Sequence, residues 1–384
     1  MILKKILFLI IAICITLWFS WPTLIPKPPV APVTVYQPQS LKIDEVTALK
    51  SNIQSDSTRD KLPKLENIPD PKKAHYIVAC EDKQYPQDFE TKLQKNFDEV
   101  HQLLKGSQVA DEQYASIVFS TNDDPLKTLE SLNTFLAKRP SHTHGQFLVM
   151  NLCTNLKYHC SKQLVNNALK SDISNGMMWL YLAIFHLNNN DQKSAIEALY
   201  QATDSNKFND HFGEEAQLFF NIFHNNSEMP EAFSLLAAFG VSASMSFPSL
   251  TPVFDLCGKS LSNPDLAELC VFLGKRMAQG ANSVLSHKLG LAIQKIGLQA
   301  QGRDDEVRSS EHNIKKSKAN YQNKASMQAQ NLMMHDAQLA LSSMNTLAEN
   351  GEIAASEQLL KDAIAFSQSP DYHPCDVTNA PPKP

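Results

Sequence analysis

Glycine is scarce in this chain: 12 residues in 384, against 21 prolines that crowd toward its two ends. There is no glycine-rich phosphate loop, no Gly-x-Ser-x-Gly elbow and no His-Glu-x-x-His helix, so the common sequence marks of nucleotide, acyl-transfer and zinc-hydrolase chemistry are missing. Strand signals are also few. The run His75-Tyr76-Ile77-Val78-Ala79-Cys80 reads as a strand or as the opening of a helix. Positive charge is not in excess, and a formal net charge of -5 argues against a nucleic-acid partner. No catalytic residue and no cofactor are expected.

What is present favours helices and a core. The chain is 43% hydrophobic, and 384 residues suffice for one long helical array or two ordinary domains. Lys4 and Lys5 precede an uncharged stretch from Ile6 to Trp21, which Pro22 to Pro26 prolongs. A spanning helix needs about 20 mostly apolar residues, so 6–25 is expected to be a transmembrane anchor following a short cytoplasmic segment, 1–5. Trp18, Phe19 and Trp21 gather at its far end, where such rings favour the headgroup level, and the leading lysines direct the rest of the chain across the membrane. A cleaved signal peptide would want small residues where Trp18-Phe19-Ser20-Trp21-Pro22 stands. Cys14 follows Ile13, which does not suit a lipoprotein site.

Residues 26–73 read as a linker, rich in proline and valine to about Pro38 and polar beyond, with one short helix near Ile43 to Ile53. Residues 74–376 read as a helical domain and 377–384 as a disordered, proline-rich tail.

Within that domain apolar residues recur at helical spacing. From Met177, MMWLYLAIFHLNNNDQKSAIEALYQAT divides into two helices joined by Asn188-Asn189-Asn190-Asp191. Trp179, Leu182, Ala183 and His186 share one face of the first, and Ala195, Leu199 and Ala202 one face of the second. This resembles a tetratricopeptide (TPR) repeat, with a histidine at 186 where the family usually has tyrosine and without the closing proline. Two more degenerate units fit upstream at a period of roughly 34 residues. One runs from Gln146 to Ala168, and the other from Asp111 to Pro140 with Asp124-Pro125 opening its second helix. The resemblance covers 110–209, about a quarter of the chain. It implies an all-α superhelical array in which each hairpin leans on the next and which binds a protein partner.

Further helices are expected at Glu214 to Phe223, Pro230 to Phe239, Thr251 to Leu261, Asn263 to Met277 and Ala281 to Ala300. A charged stretch follows from Arg303 to Lys318, then a pair at Ala325 to Glu349 and Glu352 to Phe366, broken at Asn350-Gly351.

Six cysteines lie outside the apolar leader, an even number that suits an oxidising compartment. Cys153 falls late in one helix and Cys160 at the start of the next, so a hairpin would bring them together. Cys257 and Cys270 fall likewise on facing helices. Cys80 and Cys375 remain, and would tie the start of the domain to its end. One bridge per hairpin resembles Sel1-like repeat proteins, although the spacing differs slightly. Free buried cysteines are the alternative.

The remaining chemical hint is histidine. His142 and His144, with His159 nearby, have ligand-like spacing for a metal, but the Ser-His-Thr-His-Gly run equally reads as the loop between two repeats. The sequence therefore reads first as an exported scaffold on a bacterial inner membrane, with its main domain periplasmic. The alternative is a metal-binding or enzymatic helical domain.

Overall fold

The computed structural model describes residues 76–80, 89–120, 124–156, 159–245, 247–321 and 323–375. The expected anchor at 6–25, the linker at 26–73 and the tail at 377–384 lie outside the described residues. Among the described residues no helix is long and apolar enough to cross a membrane.

The described chain is all-α. Fifteen α-helices follow one another: α1 (Phe89–Leu104), α2 (Ala110–Ser120), α3 (Pro125–Lys138), α4 (Thr143–Leu156), α5 (Lys162–Ser171), α6 (Gly176–Asn188), α7 (Gln192–Asp204), α8 (Phe212–Asn226), α9 (Glu231–Ser244), α10 (Thr251–Gly258), α11 (Pro264–Gly280), α12 (Val284–Ala300), α13 (Asp304–Tyr321), α14 (Lys324–Met333) and α15 (Ala337–Ser367). Among the described residues the β-type pairing amounts to two isolated parallel bridges, Asn175 to Lys207 and Phe208 to Ala281. Residues 76–80 form no helix and, among the described residues, join no ladder.

Local sequence explains many of the helix starts. Asp124, Ser161, Asn175, Asp191, Asn263, Ser283, Asn323 and Asp336 each accept a hydrogen bond from a backbone N–H of the first turn that follows. Each thereby satisfies a donor the helix cannot, worth about 1 kcal/mol per cap. Asp336 also corrects an expectation. The stretch from Ala325 to Glu349 is not one helix, because Asp336 caps a new one through Leu339 N, and Met334, His335 and Asp336 separate α14 from α15. The expected break at Asn350-Gly351 is a kink within α15, where Gly351 takes φ 83° and its missing side chain admits the Asn282 carbonyl.

Successive helices pack in pairs: α4 on α5, α6 on α7, α8 on α9, α11 on α12, and α14 on α15. Contacts also run between helices distant in sequence: α8 meets α15 and α1, α7 meets α11, and α6 meets α10. Of the repeat positions, Ala183, Ala195, Leu199 and Ala202 are fully buried and Leu182 nearly so. Trp179 is half-buried, its Nε1 donating to the Ile173 carbonyl at 2.8 Å. Leu180, Tyr181, Ile184 and Phe185 are buried as well, so α6 is covered on nearly every side rather than along one stripe.

Helices α11 and α12 pack backbone against backbone. A Cβ at Gly290 would stand 2.5 Å from the Ala278 nitrogen, one at Gly297 would stand 2.8 Å from the Val271 nitrogen, and one at Gly274 would overlap the Gln294 backbone. Three of the few glycines are thus used where two backbones touch.

All three cysteine pairs are at disulfide distance: Cys80–Cys375, Cys153–Cys160 and Cys257–Cys270, with Cα separations of 5.4, 5.6 and 5.8 Å. The last two staple α4 to the connection before α5 and α10 to α11. The first joins the 76–80 segment to the residues after α15. Bridges of this kind indicate an oxidising, extracytoplasmic location.

Candidate functional site

The densest collection of polar side chains in the interior surrounds the connector from Lys207 to His211, between α7 and α8. Its backbone is held by neighbours far away in sequence. Asn175, the cap of α6, donates from Nδ2 to the Asn209 carbonyl (2.8 Å) and accepts the Asn209 N–H (2.9 Å), while Gly176 N donates to the Lys207 carbonyl (2.8 Å). Phe208 N donates to the Gly280 carbonyl at 2.8 Å. Asp210 accepts from the hydroxyls of Ser283 and, at 2.7 Å, Ser286 in the first turn of α12. Asn282 bonds Asn209 through its side chain, and its carbonyl accepts the Glu352 N–H at 2.7 Å. The Glu352 carboxyl in turn accepts the Val284 N–H at 2.8 Å. The starts of α6, α8 and α12 and the kink of α15 therefore converge on one short connector.

The expected histidines adjoin this hub. His142 is the residue before α4. Its Nδ1 accepts the Gly145 N–H at 3.1 Å, leaving Nε2 to donate to Asp111 Oδ1 at 3.2 Å. That bond chiefly holds the Asp111 carboxyl below its ordinary range. His144 lies between His142 and His211, with ring centroids 6.0 and 5.7 Å away. Burial, then the two neighbouring imidazoles, lower its pKa to about 3, so it is neutral. Its Nδ1 has no hydrogen-bond partner among the described residues. His211 takes a left-handed conformation (φ 59°) just before α8, and its ring faces Asp172 at 3.3 Å and Glu214 at 3.7 Å. Burial raises the Asp172 carboxyl, but the facing His211 ring and the Asn175 hydrogen bond hold it below the ordinary value.

Below these rings, Tyr114 from α2 donates its hydroxyl to Glu215 Oε1 of α8 at 2.8 Å. Both are buried. Burial pushes the Glu215 pKa up to about 8, with Asp210 and Glu214 adding to the rise, so it keeps its proton at neutral pH. Burial likewise lifts Glu352 to about 7. The cluster thus sets a protonated Glu215 and a neutral His144 beside the carboxylates of Asp111 and Asp172, among aromatic rings: Phe147 lies 4.8 Å from His211, and Tyr114 5.1 Å from His142.

The three histidines read from the sequence do not converge. His142 and His144 stand at the start of α4, whereas His159 is exposed beyond its far end. Fourteen residues at 1.5 Å rise put about 20 Å between them. His142 already uses both ring nitrogens. Among the described residues, no group of three or more His, Cys, Asp or Glu is placed to hold a metal ion. Sequence reasoning missed His211, Tyr114, Glu215 and the Asn209–Asp210 connector. The legible signal was a series of residues that accept the first N–H groups of a helix, at Asn175, Asp210 and Ser283.

Two surface grooves lie elsewhere. One, of about 310 Å³, is bordered by Tyr76, Val78, Ser367, Tyr372, His373 and Cys375. The other, of about 540 Å³, is bordered by Cys80, Lys324, Met327 and Asn331. Neither is lined by a residue of the buried cluster. Compared with known proteins, the chain matches no family model, no curated protein and no solved structure.

Proposed function

We propose that this chain is an exported scaffold. In this reading a TPR-like helical domain is held at the periplasmic face of a bacterial inner membrane by an N-terminal helix over 6–25, and it binds a protein partner in an envelope complex. The observation that carries the reading is the combination of paired helices with three intrachain disulfides. Paired helices offer extended faces to a peptide or a partner helix. The bridges suit an exported domain, which the apolar segment at 6–25 would deliver and retain. The buried polar cluster supports the same view, since its side chains bond helices to one another and line neither groove.

The test is topology together with crosslinking in intact cells. Full-length protein is expected in the membrane fraction, with its domain cut by protease added to spheroplasts. A discrete crosslinked adduct should form, and it should weaken when 6–25 are replaced by a cleavable signal. A domain protected in spheroplasts, or the lack of any discrete adduct, would overturn the proposal.

A further inference from the structure

The three disulfides are not equivalent in their surroundings. Cys153, Cys257 and Cys270 are fully buried and Cys160 nearly so, whereas Cys80 and Cys375 are both partly exposed. Each of these last two borders a different surface groove, Cys375 beside His373 and Pro374, and Cys80 beside Lys324 and Met327. A thiol can therefore approach this bridge from solvent, while the other two lie inside packed helix pairs.

What the bridge holds is slight. Among the described residues the 76–80 segment has no ladder partner. Among those same residues it is attached by the buried Ile77 side chain, by Val78 and Cys80 packed against the core, by the Val78 N–H donating to Ser367 Oγ at 2.9 Å, and by the disulfide itself, which spans 295 residues of sequence. Breaking the bridge removes the covalent part of that attachment and leaves the paired helices as they are.

The geometry points to Cys80–Cys375 as a thiol–disulfide exchange site, a redox-cleaved clasp that a dithiol opens to release the 76–80 segment from the end of the domain. One thiolate of the dithiol attacks Cys375 Sγ from the Tyr76–His373 groove. The S–S bond breaks and Cys80 leaves as a thiolate, which the charge of Lys324 across its groove favours, and which then takes up a proton. The second thiol of the dithiol resolves the mixed disulfide and frees Cys375. The two cysteines gain two electrons and two protons, and the dithiol becomes a disulfide. This inference stands whether or not the scaffold reading does.

The experiment is graded reduction of the folded full-length chain with dithiothreitol, followed by alkylation and peptide mass spectrometry, with hydrogen exchange read at the Val78 amide. Cys80 and Cys375 are expected to be alkylated at least about tenfold faster than the other four. Helical content should be unchanged, and Val78 should exchange about tenfold faster after opening. Lys324→Gln should slow the opening by roughly two- to fivefold. A Cys80→Ser/Cys375→Ser variant should show the fast Val78 exchange without reductant. If that variant fails to fold, reduction of the wild type supplies the same reading. Co-reduction of all three bridges, or opening with no change at Val78, would overturn the clasp.

Discussion

Replacing Glu215 with glutamine is expected to flatten the alkaline side of the stability curve. In the folded chain this carboxyl keeps its proton to about pH 8 because it is buried, whereas its ordinary value is 4.5. A folded state that holds a proton the unfolded state has released is stabilised most below pH 4.5, and it loses that advantage as pH rises through 8. Worked from those two values, Glu215 contributes about 1.4 kcal/mol less at pH 9 than at pH 7. Glu352, held to about 7, adds about 0.4 kcal/mol in the same direction. His144 has the opposite sign. Its pKa falls from 6.5 to about 3 on folding, so its contribution is complete above 6.5 and is lost as pH drops toward 3, which leaves the alkaline window to the carboxyls. The glutamine amide of the Glu215→Gln variant would keep an acceptor for the Tyr114 hydroxyl, so the change removes the titration and spares the hydrogen bond. The assay is urea unfolding followed by circular dichroism at about pH 7 and about pH 9, with disulfides intact. Wild type should lose about 1.8 kcal/mol between them and E215Q about 0.4 kcal/mol. Equal losses in the two proteins would refute the reasoning.

Other substitutions test the packing and the hub. Gly290→Ala should cost about 1–3 kcal/mol in thermal or urea unfolding, because its methyl meets the Ala278 backbone. Gly240→Ala, inside α9 with nothing within 4 Å of the added methyl, should stabilise by about 0.5–1 kcal/mol in the same assay. Asn282→Ala removes the side-chain bond to Asn209 and should cost about 1–3 kcal/mol in urea unfolding. Removing the Cys257–Cys270 bridge, separation 13, should cost about 3 kcal/mol, and removing Cys153–Cys160, separation 7, about 2 kcal/mol, both by calorimetry of the serine pairs.

What the sequence disclosed is what short-range chemistry controls. Helix starts such as Asp124-Pro125 and Asn263-Pro264 carry their own caps, and Cys153–Cys160 and Cys257–Cys270 lie within single hairpins. The hub was illegible because its partners are far apart in the chain: 34 residues from Asn175 to Asn209, 73 from Asp210 to Ser283, 101 from Tyr114 to Glu215. Nothing local marks Glu215 as buried, since it sits beside Glu214 in a first turn where acidic residues are ordinary. The break at His335-Asp336 was hidden because apolar periodicity continues across it. The one-sided reading of α6 failed for a related reason: a period locates one apolar face, but α6 meets α4, α5, α7 and α10 together.

The connector between α7 and α8 has a consequence for cooperativity. In an open stack each unit touches only its neighbours, so pieces can be deleted or melted one at a time. Here a handful of residues near position 210 is gripped by segments lying on either side of it, at 175 and at 282–286, and the second of these is bonded in turn by Glu352. Excising 110–209 as a module would strip both partners of their bonds. The array should melt as one body, and truncation at either flank should unfold what remains.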